Sequence, residues 1–339
     1  MSKRLFVIYT GGTIGMTATA SGYAPEAGYL PRELEKIAAS HPGFPAYTLK
    51  EYAPLIDSSN LQPSHWNQIV ADIEANYPEY DGFVVIHGTD TLAYTASALS
   101  FMLDNLSKPV IVTGSMVPLC ETPNDAEQNL VDAFMWACDD NLSEVAIAFN
   151  RQLMRGNRAR KLSGSDINAF GTPNYPILGR VHGERELNQA LVAIKSSFAF
   201  KAHPIRPDLR IAGLKLYPGF SASLIAGLLS TPLDGLVLET YGAGNVPDYD
   251  PALLAALTEA SKRGTVIINC TQCPSGRVAM GHYAASSALG KAGLVSGGDM
   301  TVEAAITKLY ALLSQSPDLV SVRERAALNL RGEVSLDNA

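Results

Sequence analysis

Short segments rich in apolar and β-branched residues, separated by helical patterns, constrain the fold of this chain most strongly. In the first 150 residues such segments lie at 5–10, 47–53, 83–87, 110–113 and 145–149, with helical patterns at 31–39, 63–76, 91–105 and 124–138. A strand covered on both faces of a parallel sheet reads as a continuous apolar run. Alternating strands and helices are typical of a doubly wound α/β domain. We therefore predict such a domain, the larger of two, at the N-terminal end of the chain.

A second alternation begins after a less regular stretch. Segments 182–186 and 201–204 read as irregular connections, and strands and helices then alternate from 211 to 314. A length of 339 residues fits about two domains. We predict an N-terminal domain over residues 1–190 that carries the catalytic residues, a linker over 191–208, and a smaller C-terminal α/β domain over 209–339.

Composition excludes several classes of protein. A hydrophobic fraction of 47% with a net charge of −7 is incompatible with intrinsic disorder. The excess of acidic residues argues against nucleic-acid binding. Apolar runs fall far short of the roughly 20 residues that a membrane helix needs. The beginning of the chain lacks a secretory pattern and only four cysteines are present, so we expect a cytoplasmic protein without disulfides.

Small, hydroxylated and acidic residues follow four of the predicted strands. They form the segments 10–15, 57–60, 87–91 and 113–115. Ligands of open α/β sheets bind beyond the carboxyl ends of the strands. The sequence therefore predicts a polar site where these four segments meet.

The glycine-rich turn at 10–15 presents a candidate nucleophile. It matches neither of the common nucleotide-binding glycine patterns, GxGxxG and GxxxxGK[ST]. Glycines at this point let backbone N–H groups approach a developing oxyanion, and Thr13 offers its hydroxyl there. A threonine hydroxyl needs activation, which Thr89 and Asp90 could supply together with a lysine. Lys161 is the candidate, and the other interpretation of the basic run 155–161 in which it lies is a solvated patch. His87 is interpreted as structural.

Other polar features allow two interpretations each. Asp57, Ser58 and Ser59 either cap the helix predicted at 63–76 or recognise the charged groups of an amino acid. The stretch 15–28, which contains Tyr23, is a mobile lid or a surface loop. The CxxC of Cys270 and Cys273 is interpreted as a pair of buried structural thiols rather than a redox or zinc site.

Two segments resemble the signatures of a known family. The run 5–15 looks like the first signature of the bacterial-type L-asparaginases, and 82–92 looks like the second. Segments 57–59, 155–158, 241–245 and 298–303 are similar to the cytosolic, type I branch of that family. The resemblance extends over nearly the whole chain.

The resemblance implies hydrolysis of L-asparagine to L-aspartate and ammonia, without a metal or cofactor. It also implies a homotetramer of intimate dimers with active sites between subunits. The implied catalytic residues are Thr13, Tyr23, Thr89, Asp90 and Lys161. The implied substrate-binding residues are Gly12, Asp57 (through its backbone), Ser58, Ser59, Thr89, Asp90 and, from the neighbouring subunit, Asn245.

Two departures from the family pattern follow. Periplasmic members place a glutamate from the neighbour near the first hydroxyl, whereas the matching stretch here, 284–287, has none. Some cytosolic members bind a second asparagine at an allosteric site, through an arginine whose position is Glu239 here. The possible allosteric residues in this chain are Glu239, Thr240, Tyr241 and Cys273. Because the Glu239 carboxylate repels the carboxylate of asparagine, we predict weak activation and nearly hyperbolic kinetics. A glutaminase-asparaginase, a nucleotide- or amino-acid-binding regulator without turnover, and a tRNA amidotransferase subunit are the alternative interpretations.

Overall fold

The computed structural model describes residues 3–20, 22–247, 251–280 and 284–335, without the side chains of 284–287. The chain forms two compact units, Met1–Pro204 and Ile205–Ala339. The division falls within the stretch predicted as a linker. The predicted domain boundaries and the assignment of catalysis to the first domain stay predictions.

Strands and helices alternate through the first unit. Its elements are β1 Arg4–Tyr9, β2 Met16–Thr19, β3 Gly22–Pro25, α1 Tyr29–Ser40, β4 Ala46–Glu51, α2 Pro63–Asn76, β5 Gly82–Ile86, α3 Leu92–Met102, β6 Leu103–Asp104, β7 Val110–Thr113, α4 Ala126–Trp136, β8 Val145–Phe149, β9 Gln152–Arg155, β10 Arg160–Lys161, β11 Phe170–Gly171, β12 Gly179–His182, β13 Glu184–Leu187 and β14 Lys201–Ala202. Short 3-10 turns occupy Thr13–Gly15 and Ser58–Asn60.

An eight-stranded sheet organises this unit, in the order β13-β12-β9-β8-β7-β5-β1-β4. Strands β4, β1, β5, β7 and β8 are paired in parallel, whereas β9, β12 and β13 pair antiparallel with their neighbours. The five predicted strands are the parallel ones, which confirms the predicted fold class. Strands β5, β7 and β8 are buried along their whole length, which explains their continuous apolar runs.

Three segments differ from the sequence-based expectations. Residues 182–186 contribute to the hairpin β12–β13 rather than to an irregular connection, because charged side chains on an exposed edge hide the strand pattern. The helix predicted over 91–105 ends at Met102, where β6 pairs with β14 at residues 201–202. The stretch 15–28 contains the hairpin β2–β3.

The second unit contains a four-stranded parallel sheet, in the order β15-β16-β17-β18. Its elements are β15 Ile211–Lys215, α5 Ala222–Ser230, β16 Gly235–Thr240, α6 Pro251–Lys262, β17 Val266–Thr271, α7 Ala284–Lys291, β18 Val295–Ser296, α8 Val302–Gln315 and α9 Leu319–Ala327. Apolar clusters cover both faces of this sheet. Within the described parts of the chain, no helix has both the length and the apolar character to cross a membrane.

A fully buried ion pair lies inside the second unit. Lys308 Nζ, on α8, is 2.6 Å from Glu333 Oε1, and both side chains are 0% exposed. The ammonium also donates to the carbonyl oxygens of Ala326 and Leu328, at 2.9 and 2.6 Å. The Glu333 carboxylate accepts from two backbone N–H groups of residues 330 and 331. The pair therefore fixes the segment 326–333 against α8.

Candidate active site

The loops that follow β1, β4 and β5 approach one another backbone to backbone. Gly11 and Gly12 have φ values of +129° and +102°, a region that side chains other than glycine rarely adopt. A Cβ atom on Gly12 would lie 2.4 Å from the Cα atom of Gly88, and one on Gly11 would lie 2.3 Å from the carbonyl oxygen of Ile56. The absence of a side chain on the glycines at these strand ends therefore allows the three loops to come into contact.

A polar pocket of about 330 Å³ opens at this junction. Its lining residues come from five separate segments of the chain: Gly12, Thr13, Met16, Asp57, Ser58, Gly88, Thr89, Asp90, Met116, Lys161 and Gly164. The structure thus brings together most of the residues that the sequence predicts for the site. Met16, Met116 and Gly164 were not predicted.

Lys161 connects the two members of the Thr89–Asp90 segment. Its ammonium donates to Thr89 Oγ1 at 2.9 Å and to Asp90 Oδ1 at 2.7 Å. Lys161 lies on β10, which pairs with β11 so that Lys161 is opposite Phe170. This two-stranded pairing, rather than the main sheet, directs the lysine to the strand ends. The interpretation of Lys161 as part of a solvated basic patch is therefore wrong.

The first hydroxyl and its neighbours lie on two 3-10 turns. Thr13 begins one turn and Ser58 begins the other, where it is buried. Asp57 Oδ1 accepts from the backbone N–H of Ser59 at 3.0 Å, so the carboxylate caps this short turn. Helix α2 instead begins after Gln62, whose own capping box includes His65. Asp57 is a cap, as one interpretation held, but not of the predicted helix.

Two predicted site residues of the first unit lie outside the pocket lining. Ser59 is exposed. Tyr23 is half-exposed on β3, and its hydroxyl donates to Glu121 Oε1 at 2.6 Å. That hydrogen bond raises the pKa of the Tyr23 phenol, because the carboxylate accepts from its protonated form.

Comparisons with known proteins cover both units. A family model described as asparaginase, N-terminal, matches residues 4–193, and one described as glutaminase/asparaginase C-terminal domain matches 210–325. L-asparaginase 1 of Escherichia coli K12 is 47% identical over 339 residues, 99% of each chain. The crystal structure of L-asparaginase I from Vibrio cholerae has a TM-score of 0.91 and 45% identity, and the match covers 99% of this chain and all of that one. The 60 kDa lysophospholipase of Mus musculus is 41% identical over 98% of this chain and 63% of its own length.

The chain belongs to the asparaginase family. The pocket beyond β1 and β5 lies in the part of the chain that matches the N-terminal asparaginase model. The predicted residues of the second unit lie in the part that matches the C-terminal model.

In this asparaginase-family chain, a buried network fixes the loop after β7. Asp125 accepts from the backbone N–H groups of Met116 and Val117, at 3.0 and 2.9 Å. Asn129 donates to the carbonyl oxygen of Gly114 and to Asp125, both at 3.0 Å. Because Met116 lines the pocket, this network holds one of its walls. The sequence predicted a contribution to the site from segment 113–115 after β7, whereas the residue of this loop that lines the pocket is Met116.

His87 directly follows β5 and is buried. Its Nδ1 donates to the carbonyl oxygen of Gly88 at 2.7 Å, and its Nε2 accepts from Thr95 Oγ1 at 3.0 Å. Thr95 in turn accepts from the indole N–H of Trp66 at 3.1 Å. Burial lowers the pKa of His87 to about 4, so the ring is neutral near pH 7. The structural interpretation of this histidine is confirmed.

The predicted residues of the second unit gather where β16 and β17 end. Thr240 is buried and its hydroxyl donates to Asn269 Oδ1 at 2.7 Å. Tyr241 and Asn245 form an antiparallel bridge in the following turn. Glu239 lies near the end of β16, and Cys273 lies two residues beyond the end of β17, which pairs with β16. The stretch 284–287, where periplasmic members are expected to have a glutamate, has its side chains outside the described part of the structure.

The cysteines differ in their surroundings. Cys270 is buried on β17, whereas Cys273 is exposed beyond the end of that strand, so only one of the two thiols is buried as expected. None of the four cysteines forms a disulfide bond. Across the described ranges, no group of three or more His, Cys, Asp or Glu side chains could hold a metal ion.

Proposed function

We propose that this chain hydrolyses the side-chain amide of L-asparagine to L-aspartate and ammonia in the pocket beyond β1 and β5. Family membership and 47% identity to an L-asparaginase over the whole chain support the reaction. The observation that carries the site assignment is that Thr13 and the bonded set of Thr89, Asp90 and Lys161 open on one pocket of about 330 Å³.

Thr13 is the proposed nucleophile. Its Oγ forms a bond to the amide carbon, the carbon–nitrogen bond breaks, and the nitrogen leaves as ammonia with the hydroxyl proton. Water then attacks the resulting ester, which releases aspartate and restores the Thr13 hydroxyl. Backbone N–H groups of the glycine turn are proposed to stabilise the tetrahedral oxyanion, because Gly12 and Thr13 line the pocket.

Thr89 is the proposed proton relay. Lys161 donates to the oxygen of Thr89, so the hydroxyl proton of Thr89 is the one available to groups in the pocket. The ammonium also stabilises negative charge on that oxygen when the proton leaves. Asp90 holds the ammonium in place through its 2.7 Å ion pair.

Charged and hydroxyl groups at the rim are proposed to bind the ends of the substrate. Asp90, in the pocket lining, is the proposed acceptor for the α-ammonium, and Ser58 is a proposed donor to the α-carboxylate. Ser59, which is exposed next to the lining, is the second proposed donor, and Asp57 contributes its backbone. Asn245 is proposed to reach the site from a second copy of the chain, in a homotetramer. Tyr23 is proposed to act beside Thr13. A cytoplasmic location and nearly hyperbolic kinetics stay predictions.

An ammonia-release assay with asparagine and with glutamine tests the reaction and its selectivity. Thr13→Ala should lower kcat by about 10³-fold or more, because an unactivated water must replace the hydroxyl. Thr13→Ser is the matched control and keeps a hydroxyl at the same point. Binding of asparagine without ammonia release would favour the regulator interpretation, and near-normal turnover by folded Thr13→Ala would overturn the assignment of the nucleophile.

A further inference from the structure

The hairpin β2–β3 is docked on the loop that follows β7. Three consecutive residues of the loop contact the hairpin or the 3-10 turn directly before it. The N–H of Leu119 donates to Ile14 O in that turn at 3.3 Å, Cys120 Sγ donates to Met16 O at 3.4 Å, and Glu121 Oε1 accepts from Tyr23 Oη at 2.6 Å. We call these contacts the hairpin seam. The Glu121 contact is the only one of the three with a charged acceptor.

The hairpin seam joins two walls of the pocket. Met16, at the start of β2, lines the pocket from the hairpin side, and Met116 lines it from the loop side. The loop is itself fixed by Asp125, which accepts from two consecutive backbone N–H groups. The loop is therefore the rigid partner, and the hairpin takes its position from it.

The Tyr23–Glu121 contact also decides how the phenol can interact. A phenol has one proton to donate, and here that proton is directed to a carboxylate. A distance of 2.6 Å lies in the range of charge-assisted O–H···O⁻ hydrogen bonds. The lone pairs of the Tyr23 oxygen remain, so the phenol can only accept from any further hydroxyl or ammonium group.

We propose that Glu121 is a positioning residue that acts through Tyr23: it holds the hairpin at the pocket and keeps the Tyr23 oxygen as a hydrogen-bond acceptor. The inference rests on the proposed function, which places Tyr23 beside Thr13. Glu121, a residue of the same chain, then determines the position of the Tyr23 hydroxyl and the direction of its hydrogen bond.

Stability and kinetics separate this role from a purely structural one. Tyr23 is half-exposed and Glu121 is partly exposed, and polar pairs at a surface contribute little to the free energy of unfolding. A role limited to the stability of the hairpin would therefore leave kcat almost unchanged. A positioning role lowers kcat while the protein stays folded.

A double-mutant cycle with Glu121→Ala and Tyr23→Phe provides the kinetic test. Glu121→Ala should lower kcat about tenfold with KM within about twofold, as expected for loss of a hydrogen bond to a charged group that does not touch the substrate ends. The double variant should be no slower than Tyr23→Phe alone, because Glu121 acts only through the phenol. Glu127→Gln, an exposed carboxylate in the first turn of α4, is the matched control and should keep the parent kinetics. Independent, multiplicative losses or a parent-like Glu121→Ala would overturn the proposal.

Titration of the phenol gives a readout that does not depend on turnover. In protein labelled with ¹³C at tyrosine Cζ, the Tyr23 signal is identified by its loss in Tyr23→Phe. Glu121→Gln should lower the pKa of Tyr23 towards its usual value, since the neutral amide accepts less strongly from the phenol. An unchanged titration would contradict the contact on which the proposal rests. If Thr13→Ala keeps its turnover while this titration shifts, the proposed nucleophile fails and the Tyr23–Glu121 coupling stands.

Discussion

Two lysine–carboxylate pairs of almost equal length lie in the two units of the chain, in opposite surroundings. Lys161 and Asp90 are 2.7 Å apart at the pocket, with side chains 21% and 61% exposed. Lys308 and Glu333 are 2.6 Å apart in the second unit, both fully buried. The core pair satisfies its remaining hydrogen-bonding capacity with backbone groups, whereas Lys161 uses its second hydrogen bond on the hydroxyl of Thr89.

The difference shows what each pair can contribute. An ion pair in contact with solvent contributes about 0–1 kcal/mol to the free energy of unfolding, so the fold depends little on the pocket pair. A buried pair gains little over apolar packing, yet removal of one partner leaves an uncompensated charge in the core. We therefore expect substitutions at the pocket pair to change turnover and those at the core pair to change stability.

The largest expected effect is on turnover. Lys161→Met should lower kcat by about 10²–10⁴-fold, because Thr89 loses the group that stabilises charge on its oxygen. Chemical denaturation should show the free energy of unfolding changed by less than about 1 kcal/mol. The double variant with Thr89→Val should lose far less than the product of the two single losses, since the residues act as one unit. Multiplicative losses would show that Lys161 and Thr89 act separately.

The core pair should give the opposite result. Lys308→Met should lower the free energy of unfolding by about 3–5 kcal/mol, because it leaves the Glu333 carboxylate buried without its cation. The matched variant Lys308→Met/Glu333→Leu removes both charges and should recover part of that loss. Urea unfolding measures the stability, and ammonia release at a temperature where the variants are folded should give the parent kcat. A larger loss in the double variant than in Lys308→Met would contradict the argument from uncompensated charge.

His87 combines the two situations, since it is fully buried but lies at the strand end beside the pocket. Its pKa in the folded state, about 4, is below its usual value of about 6.5, so the unfolded chain binds the proton first as the pH falls. The resulting stability is complete above about pH 6.5 and is lost between there and pH 4, by roughly 3 kcal/mol. Urea unfolding of the parent and of His87→Asn at pH 7 and pH 4 isolates this contribution. An equal pH dependence in both proteins would show that His87 is not its source.

The smallest effects are expected at the two cysteines. Cys273→Ser changes an exposed side chain and should alter the free energy of unfolding by less than about 0.5 kcal/mol. Cys270→Ser places a hydroxyl in a buried position and should cost about 1–3 kcal/mol. Both variants should keep the parent kcat. Thiol–disulfide exchange activity in the parent protein would contradict the interpretation of the pair as unreactive thiols.

The parallel strands and most of the pocket could be predicted from the sequence because their signals are local. A buried strand such as β5 is a continuous apolar run, and the residues that follow it are the ones the sheet delivers to the pocket. The fold class and five strands were correct for this reason. The same reasoning placed Thr13, Ser58 and Thr89 at one edge of the sheet.

The remaining features depend on pairing between distant segments. Charged strand β13 is visible only through its partner β12, and β6 only through β14. Gly164 reaches the pocket through the β10–β11 pairing, which leaves no periodic signal in so short a segment. Glu121 is 98 residues from Tyr23 in the chain, so no local pattern could reveal that contact.

The close backbone contact between Gly12 and Gly88, which both line the pocket, limits how its selectivity could be redesigned. An added Cβ at Gly12 would lie 2.4 Å from backbone, which no rearrangement of a side chain can relieve. Libraries that vary these glycines should therefore yield mostly unfolded or inactive protein. Met16 and Met116, both partly buried, line the same pocket from two segments, and the flexible methionine side chain accommodates changes of shape readily. An engineer who wishes to alter the choice between asparagine and glutamine should leave these glycines unchanged and vary the two methionine positions.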